Sequence, residues 1–169
     1  MKNIINFLLV SCVAAALFSC EAPATANANA KDTTTEVEGE SMVYDSLLAQ
    51  KLGADAYGMK QYVMANLIAG PNRGQDSLEA ERLQRAHLDN ITKMAEAGKL
   101  VLAGPFMDDG AVRGIYIFNV STIEEAKALT ATDPAIQAGR LEMELRPWYG
   151  SAALMLVNDY HKKLSKEDI

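Results

Sequence analysis

The stretch Leu129–Trp148, LTATDPAIQAGRLEMELRPW, decides how this chain folds. A helical pattern runs out at Thr130–Thr132, and Asp133-Pro134 then breaks and restarts it. Asp is a favoured N-cap and Pro suits the first helical turn, so a short second helix is expected from Pro134. Gly139 supplies the stop. From Leu141 the period changes to two: Leu141, Met143 and Leu145 fall on one face, Glu142, Glu144 and Arg146 on the other. That is a strand with one buried side. The capping account explains Asp133 without any function. A carboxylate has further acceptor sites, however, so what else Asp133 faces is a question for the rest of the chain.

Working upstream, TIEEAKALTAT (122–132) reads as a helix capped by Ser121 or Thr122, with acids in its first turn. VRGIYIFNVS and KLVLAGPF read as strands, joined through MDDGAV with its Asp109-Gly110 turn signal. SLEAERLQRAHLDNITKMAEAG (77–98) reads as a long helix, with Ser77 as a plausible N-cap and Gly98 as its end. At 3.6 residues per turn, Ala80, Leu83, His87, Ile91 and Met94 share one stripe, which places His87 on the buried face. MKQYVMANLIA, from Met59, is apolar on both alternating faces and calls for cover on two sides.

The order strand, helix, strand, strand, helix, strand predicts an α+β fold. It is the ferredoxin-like βαββαβ arrangement, an antiparallel sheet with helices on one face. The second face carries Tyr62, Met64 and Ile68, which those helices cannot also cover. An exposed apolar patch of that kind marks an interface, so a sheet-to-sheet homodimer is expected. The domain is placed at 59–149. A short helical extension at 42–58, closed by Gly53 or Gly58, precedes it. A C-terminal helix with a basic end follows at 150–169.

The N-terminus has a different character. MKNIINFLLVSCVAAALFSC has a basic start at Lys2 and an apolar run from Ile4 to Phe18, the pattern of a secretory signal over residues 1–19. It ends in Leu-Phe-Ser-Cys, similar to the bacterial lipobox, in which the cysteine becomes the lipidated first residue. Cys20 is therefore the expected lipidation site, against the plainer alternative of an ordinary cleaved signal. Residues 20–41 hold one large apolar residue, Val37, and read as a disordered tether. A lipid anchor to a bacterial membrane, in the cell envelope, is the expected location. The chain has two cysteines, Cys12 and Cys20. Loss of the first and acylation of the second would leave no thiol for a disulfide, catalysis or metal.

With 169 residues and a formal charge of −6, the chain offers no basic surface for nucleic acid. There is no phosphate-loop ending, no serine nucleophile motif and no dinucleotide fingerprint. His161, the other histidine, lies in the tail, so no metal set is visible and no cofactor is expected. The candidates that remain are His87 and Asp133. A lone histidine on an apolar helix face is more often a satisfied core residue than a catalyst. An Asp that orients and charges a His is nevertheless a standard acid–base arrangement, and both residues belong to the helical layer of one sheet face. Gly104, Pro105 and Arg113 are weaker candidates for a substrate pocket: the first two suit a strand-ending turn with close backbone approach, and Arg113 suits an anionic group.

Taken in order, QRAHLDNITKMAEAGKLVLAGPF, DDGAVRGIYIFNVSTIEEAKAL and TDPAIQAGRLEMELRPW resemble the YCII-related family from about Met59 to Trp148. The resemblance rests on a helix histidine, an Ala-Gly-Pro turn, a glycine hairpin and an Asp-Pro before the last strand. It implies a ferredoxin-like fold of the dimeric α+β barrel kind and an active-site His/Asp pair at His87 and Asp133. One branch of the family removes chloride from a chlorinated hydroxyquinol. The expected function is that of an envelope-tethered small-molecule enzyme using this pair for isomerisation, elimination or proton transfer. The alternatives are a non-catalytic lipoprotein that binds a small ligand in the same pocket, and an assembly role with a vestigial pocket.

Overall fold

The computed structural model describes residues 43–167. The signal segment, Cys20 and the tether lie outside them. No helix among the described residues is long and apolar enough to cross a membrane.

Helix α1 (Ser46–Leu52) opens the described region, capped by Asp45 and closed by Gly53 in the left-handed conformation at φ 71°. Strand β1 (Met59–Ala69) leads to the long helix α2 (Ser77–Glu96). Its N-cap is Asp76 rather than Ser77: the Asp76 carboxylate accepts from the Glu79 backbone N–H at 2.9 Å. Aspartate caps as well as serine does, and the three-residue spacing to Glu79 makes Ser77 the first helical residue. Strands β2 (Leu100–Pro105) and β3 (Val112–Phe118) follow as an antiparallel pair. Gly114 is needed there, because a Cβ would lie 2.4 Å from the Gly104 carbonyl oxygen.

Helix α3 (Ile123–Thr130) begins at a capping box of Thr122 and Glu125. Helix α4 (Pro134–Gln137) is capped by Asp133, and Gly139 turns the chain at φ 67° into β4 (Leu141–Ser151). The sheet order is β2–β3–β1–β4, every neighbouring pair antiparallel, with β1 and β3 central. This is the ferredoxin-like fold.

Strand alternation divides the side chains between two layers. Val63, Ala65 and Leu67 of β1, Tyr116 and Phe118 of β3, and Leu100 of β2 pack with Met94 of α2 and Ala126 of α3. Tyr62, Val101 and Ile117 point the other way. The tail that follows β4 differs from the single helix expected. It forms a 3₁₀ turn (Ala152–Leu156) and then α5 (Val157–Leu164). Leu154 and Met155 of the turn pack on Tyr62, Val101 and Ile117, with Trp148 beside them. Tyr62, expected to be bare, is 1% exposed. Its hydroxyl donates to the Ser151 carbonyl at 3.1 Å. The chain's own tail thus covers one end of the second face. The other end, with Met64, Ile68 and Ile115, stays half-buried beside exposed Glu142, Glu144 and Arg146.

Candidate active site

His87 projects from the middle of α2 toward the sheet, as the helical stripe required, and is 7% exposed. Asp133, at the corner between α3 and α4, is fully buried. Its two carboxylate oxygens divide the work. Oδ1 accepts from the Ala135 backbone N–H at 2.8 Å and caps α4. Oδ2 lies 2.6 Å from His87 Nδ1. The cap and the histidine contact therefore coexist in one side chain. An ionised carboxylate is an acceptor only, so Nδ1–H is the donor in this contact.

One turn along α2, Asn90 reaches the same corner: its Oδ1 accepts from the Thr132 hydroxyl at 3.1 Å. His87 and Asn90 are both buried and lie on one side of α2, and together they fasten that helix to the Thr132–Asp133 corner. Three local devices present these side chains, namely the phase of α2, the Asp-Pro break and the glycine turn into β4, and the packing of α2 on the α3–α4 corner brings them together.

The remaining ring nitrogen has a partner that the sequence did not disclose. The Tyr116 hydroxyl lies 3.2 Å from His87 Nε2. The two rings are 6.2 Å apart and inclined by 18°. Burial, with the Asp133 carboxylate nearby, pushes the Tyr116 hydroxyl well above its ordinary range, so it keeps its proton. The available signal was parity. Tyr116 alternates with Ile115 and Ile117 and so faces the helical layer, but a tyrosine at such a position reads as core until its hydroxyl is placed.

The other candidates do not join this cluster. Arg113 sits at a bulge in β3, unpaired between Gly114, which faces Leu67, and Val112, which faces Ile68. Its Nε is buried without a hydrogen-bond partner. Gly104 and Pro105 pair with Ile115 and Gly114 at the end of the hairpin. Among the described residues, one surface cavity lies between α2, β2 and α5 and another between α3, α4 and β4. Neither is walled by His87, Asp133, Gly104, Pro105 or Arg113. Among the described residues no group of His, Cys, Asp and Glu is arranged to hold a metal ion.

The fold and its site define a class: a ferredoxin-like α+β protein with an Asp–His pair buried between its long helix and the corner before its last strand. The chain belongs to the YCII-related family, the YCII-related domain matching residues 64–149. It is similar to the uncharacterized protein YjpA of Bacillus subtilis (strain 168), at 27% identity over 62 residues, covering 37% of this chain and 71% of that protein. Among solved structures it is similar to the 5-chloro-2-hydroxyhydroquinone dehydrochlorinase TftG of Burkholderia phenoliruptrix AC1100, in complex with 2,5-dihydroxybenzoquinone. That match has 17% identity, covers 53% of this chain and 93% of the other, and has a TM-score of 0.40.

Proposed function

We propose that this YCII-related domain acts on a small molecule, with His87 carrying a proton and Asp133 orienting the ring. The chemistry is proton transfer, isomerisation or elimination on a small ring or carbonyl compound. The observation that supports this reading is the 2.6 Å contact between His87 Nδ1 and the fully buried Asp133 carboxylate. A carboxylate at Nδ1 fixes the ring orientation and stabilises the imidazolium that forms when Nε2 takes a proton. In the same proposal the domain is held in the cell envelope by a lipid on Cys20.

A second reading is favoured by a specific observation: neither of the two cavities described above is walled by His87 or Asp133. In that reading the domain binds a ligand without turning it over.

The test is exchange of solvent deuterium into small carbonyl and hydroxylated ring compounds, followed by NMR with wild-type protein, His87→Asn and Asp133→Asn. Exchange that the wild type catalyses and both variants lose supports the acid–base reading. Binding without exchange favours the second reading. Equal exchange by wild type and variants overturns the role of the pair.

A further inference from the structure

We infer that Tyr116 is a positioning residue for His87, its hydroxyl holding Nε2 in both proton states of the ring. This rests on the reading of His87 as the proton carrier. Asp133 occupies Nδ1 at 2.6 Å and the Tyr116 hydroxyl occupies Nε2 at 3.2 Å. Among the described residues these are the ring's hydrogen-bond partners, one from the corner before α4 and one from β3. The two are not equivalent. A carboxylate accepts only, so it fixes the proton on Nδ1. A hydroxyl both donates and accepts.

When the ring is neutral, Nε2 has a lone pair and the Tyr116 O–H donates to it. When the ring is charged, Nε2–H donates to the Tyr116 oxygen. The change needs only rotation of the hydroxyl hydrogen, with no movement of heavy atoms. A backbone carbonyl in that place would serve only the charged ring, and an amide N–H only the neutral one. An Asp–His–Tyr arrangement therefore keeps the imidazole at one position and angle whether or not Nε2 carries a proton.

The fold takes trouble to hold the phenol there. Tyr116 lies opposite Ala65 on β1 and Ala103 on β2, two small residues that leave its ring room between the strands. Phe118 packs edge-on against it at 5.7 Å. Burial and the nearby Asp133 carboxylate keep the hydroxyl protonated, as the donor role requires.

The experiment is ring-nitrogen NMR of the full-length chain labelled with ¹⁵N-histidine, as wild type, Tyr116→Phe and Asp133→Asn. His161, exposed on α5, is the internal reference. The expected wild-type spectrum has one His87 tautomer, protonated at Nδ1, with an Nε2 signal displaced from that of an unbonded imine nitrogen. Tyr116→Phe should move Nε2 toward the unbonded value while the Nδ1 proton, held by Asp133, stays in place. If Tyr116→Phe leaves the ring signals unchanged while Asp133→Asn alters Nδ1, Tyr116 is only packing, and the His–Asp reading stands without it. If neither variant changes the ring signals, both readings fall. Should Tyr116→Phe fail to fold, the wild-type spectrum decides alone: an Nε2 signal at the unbonded value overturns the proposal, and a displaced one supports it.

Discussion

At the scale of the residue, Asp133 carries two duties that substitution can separate. Asp133→Ala removes the cap of α4 and leaves the His87 Nδ1–H without an acceptor in a buried place. The cap is worth about 1 kcal/mol. The orphaned donor adds about 1–3 kcal/mol. Asp133→Asn keeps an oxygen for the cap and should cost less than the alanine variant. Urea denaturation of the three proteins checks the order. Tyr116 gives a signed pH dependence. Its hydroxyl is held well above the ordinary 10.0 by burial, with the Asp133 charge adding to the effect. The unfolded chain loses that proton near the ordinary value while the folded chain retains it. The stability this group contributes is therefore complete below about pH 10 and declines as pH rises beyond it. Tyr116→Phe should flatten the alkaline decline measured by denaturation at successive pH values. Tyr62, raised by burial alone, leaves a residual slope.

At the scale of the element, the tail is a working part of the sheet's second layer. The 3₁₀ turn lays Leu154 and Met155 on Tyr62 and Val101, and α5 passes beside the edge strand β2. There the Asn158 side chain donates to the Leu100 carbonyl at 2.8 Å, which occupies one acceptor of an otherwise open edge. A chain ended after Ser151 would expose Tyr62, Val101 and Ile117 together. The expected outcome is a loss of about 2 kcal/mol or more in unfolding free energy, by the usual value of a large buried side chain. Greater self-association should accompany it. Calorimetry and light scattering on the full and shortened chains would measure the two effects.

At the scale of the whole molecule, the part of the second face that the tail leaves open is the proposed homodimer surface. It is half-buried and mixed in character: Met64, Ile68 and Ile115 lie beside an Arg146–Glu144 ion pair at 2.5 Å. Sedimentation of the full-length chain should give a mass of two copies, and Ile115→Glu should shift it to one. A wild-type mass of one copy counts against the dimer. For the lipid anchor, the expected outcome is a mature chain that begins at Cys20 with acyl groups attached, read by mass spectrometry. Cys20→Ala should move the protein to the soluble fraction. An unmodified wild-type chain in that fraction would end the anchor proposal.

The sequence by itself determined the four strands, the helices α2, α3 and α4, and their order. Periodicity fixed the faces of α2 and β4, while Asp133-Pro134 and Gly139 fixed where α4 starts and stops, because these signals are local and act within a few residues. It also placed His87 on the buried stripe and Asp133 at a helix start. Tertiary structure decided what those residues meet. The separation of His87 from Asp133 depends on how α2 packs against the α3–α4 corner, and no pattern of spacing encodes that packing. The hydroxyl of Tyr116 reads as part of a core side chain until β3 sets it beneath α2. The cover over Tyr62 was hidden for a related reason: the tail reads as helical, and only its tertiary packing sets Leu154 and Met155 against Tyr62. Local propensity writes the elements, and long-range burial chooses their partners.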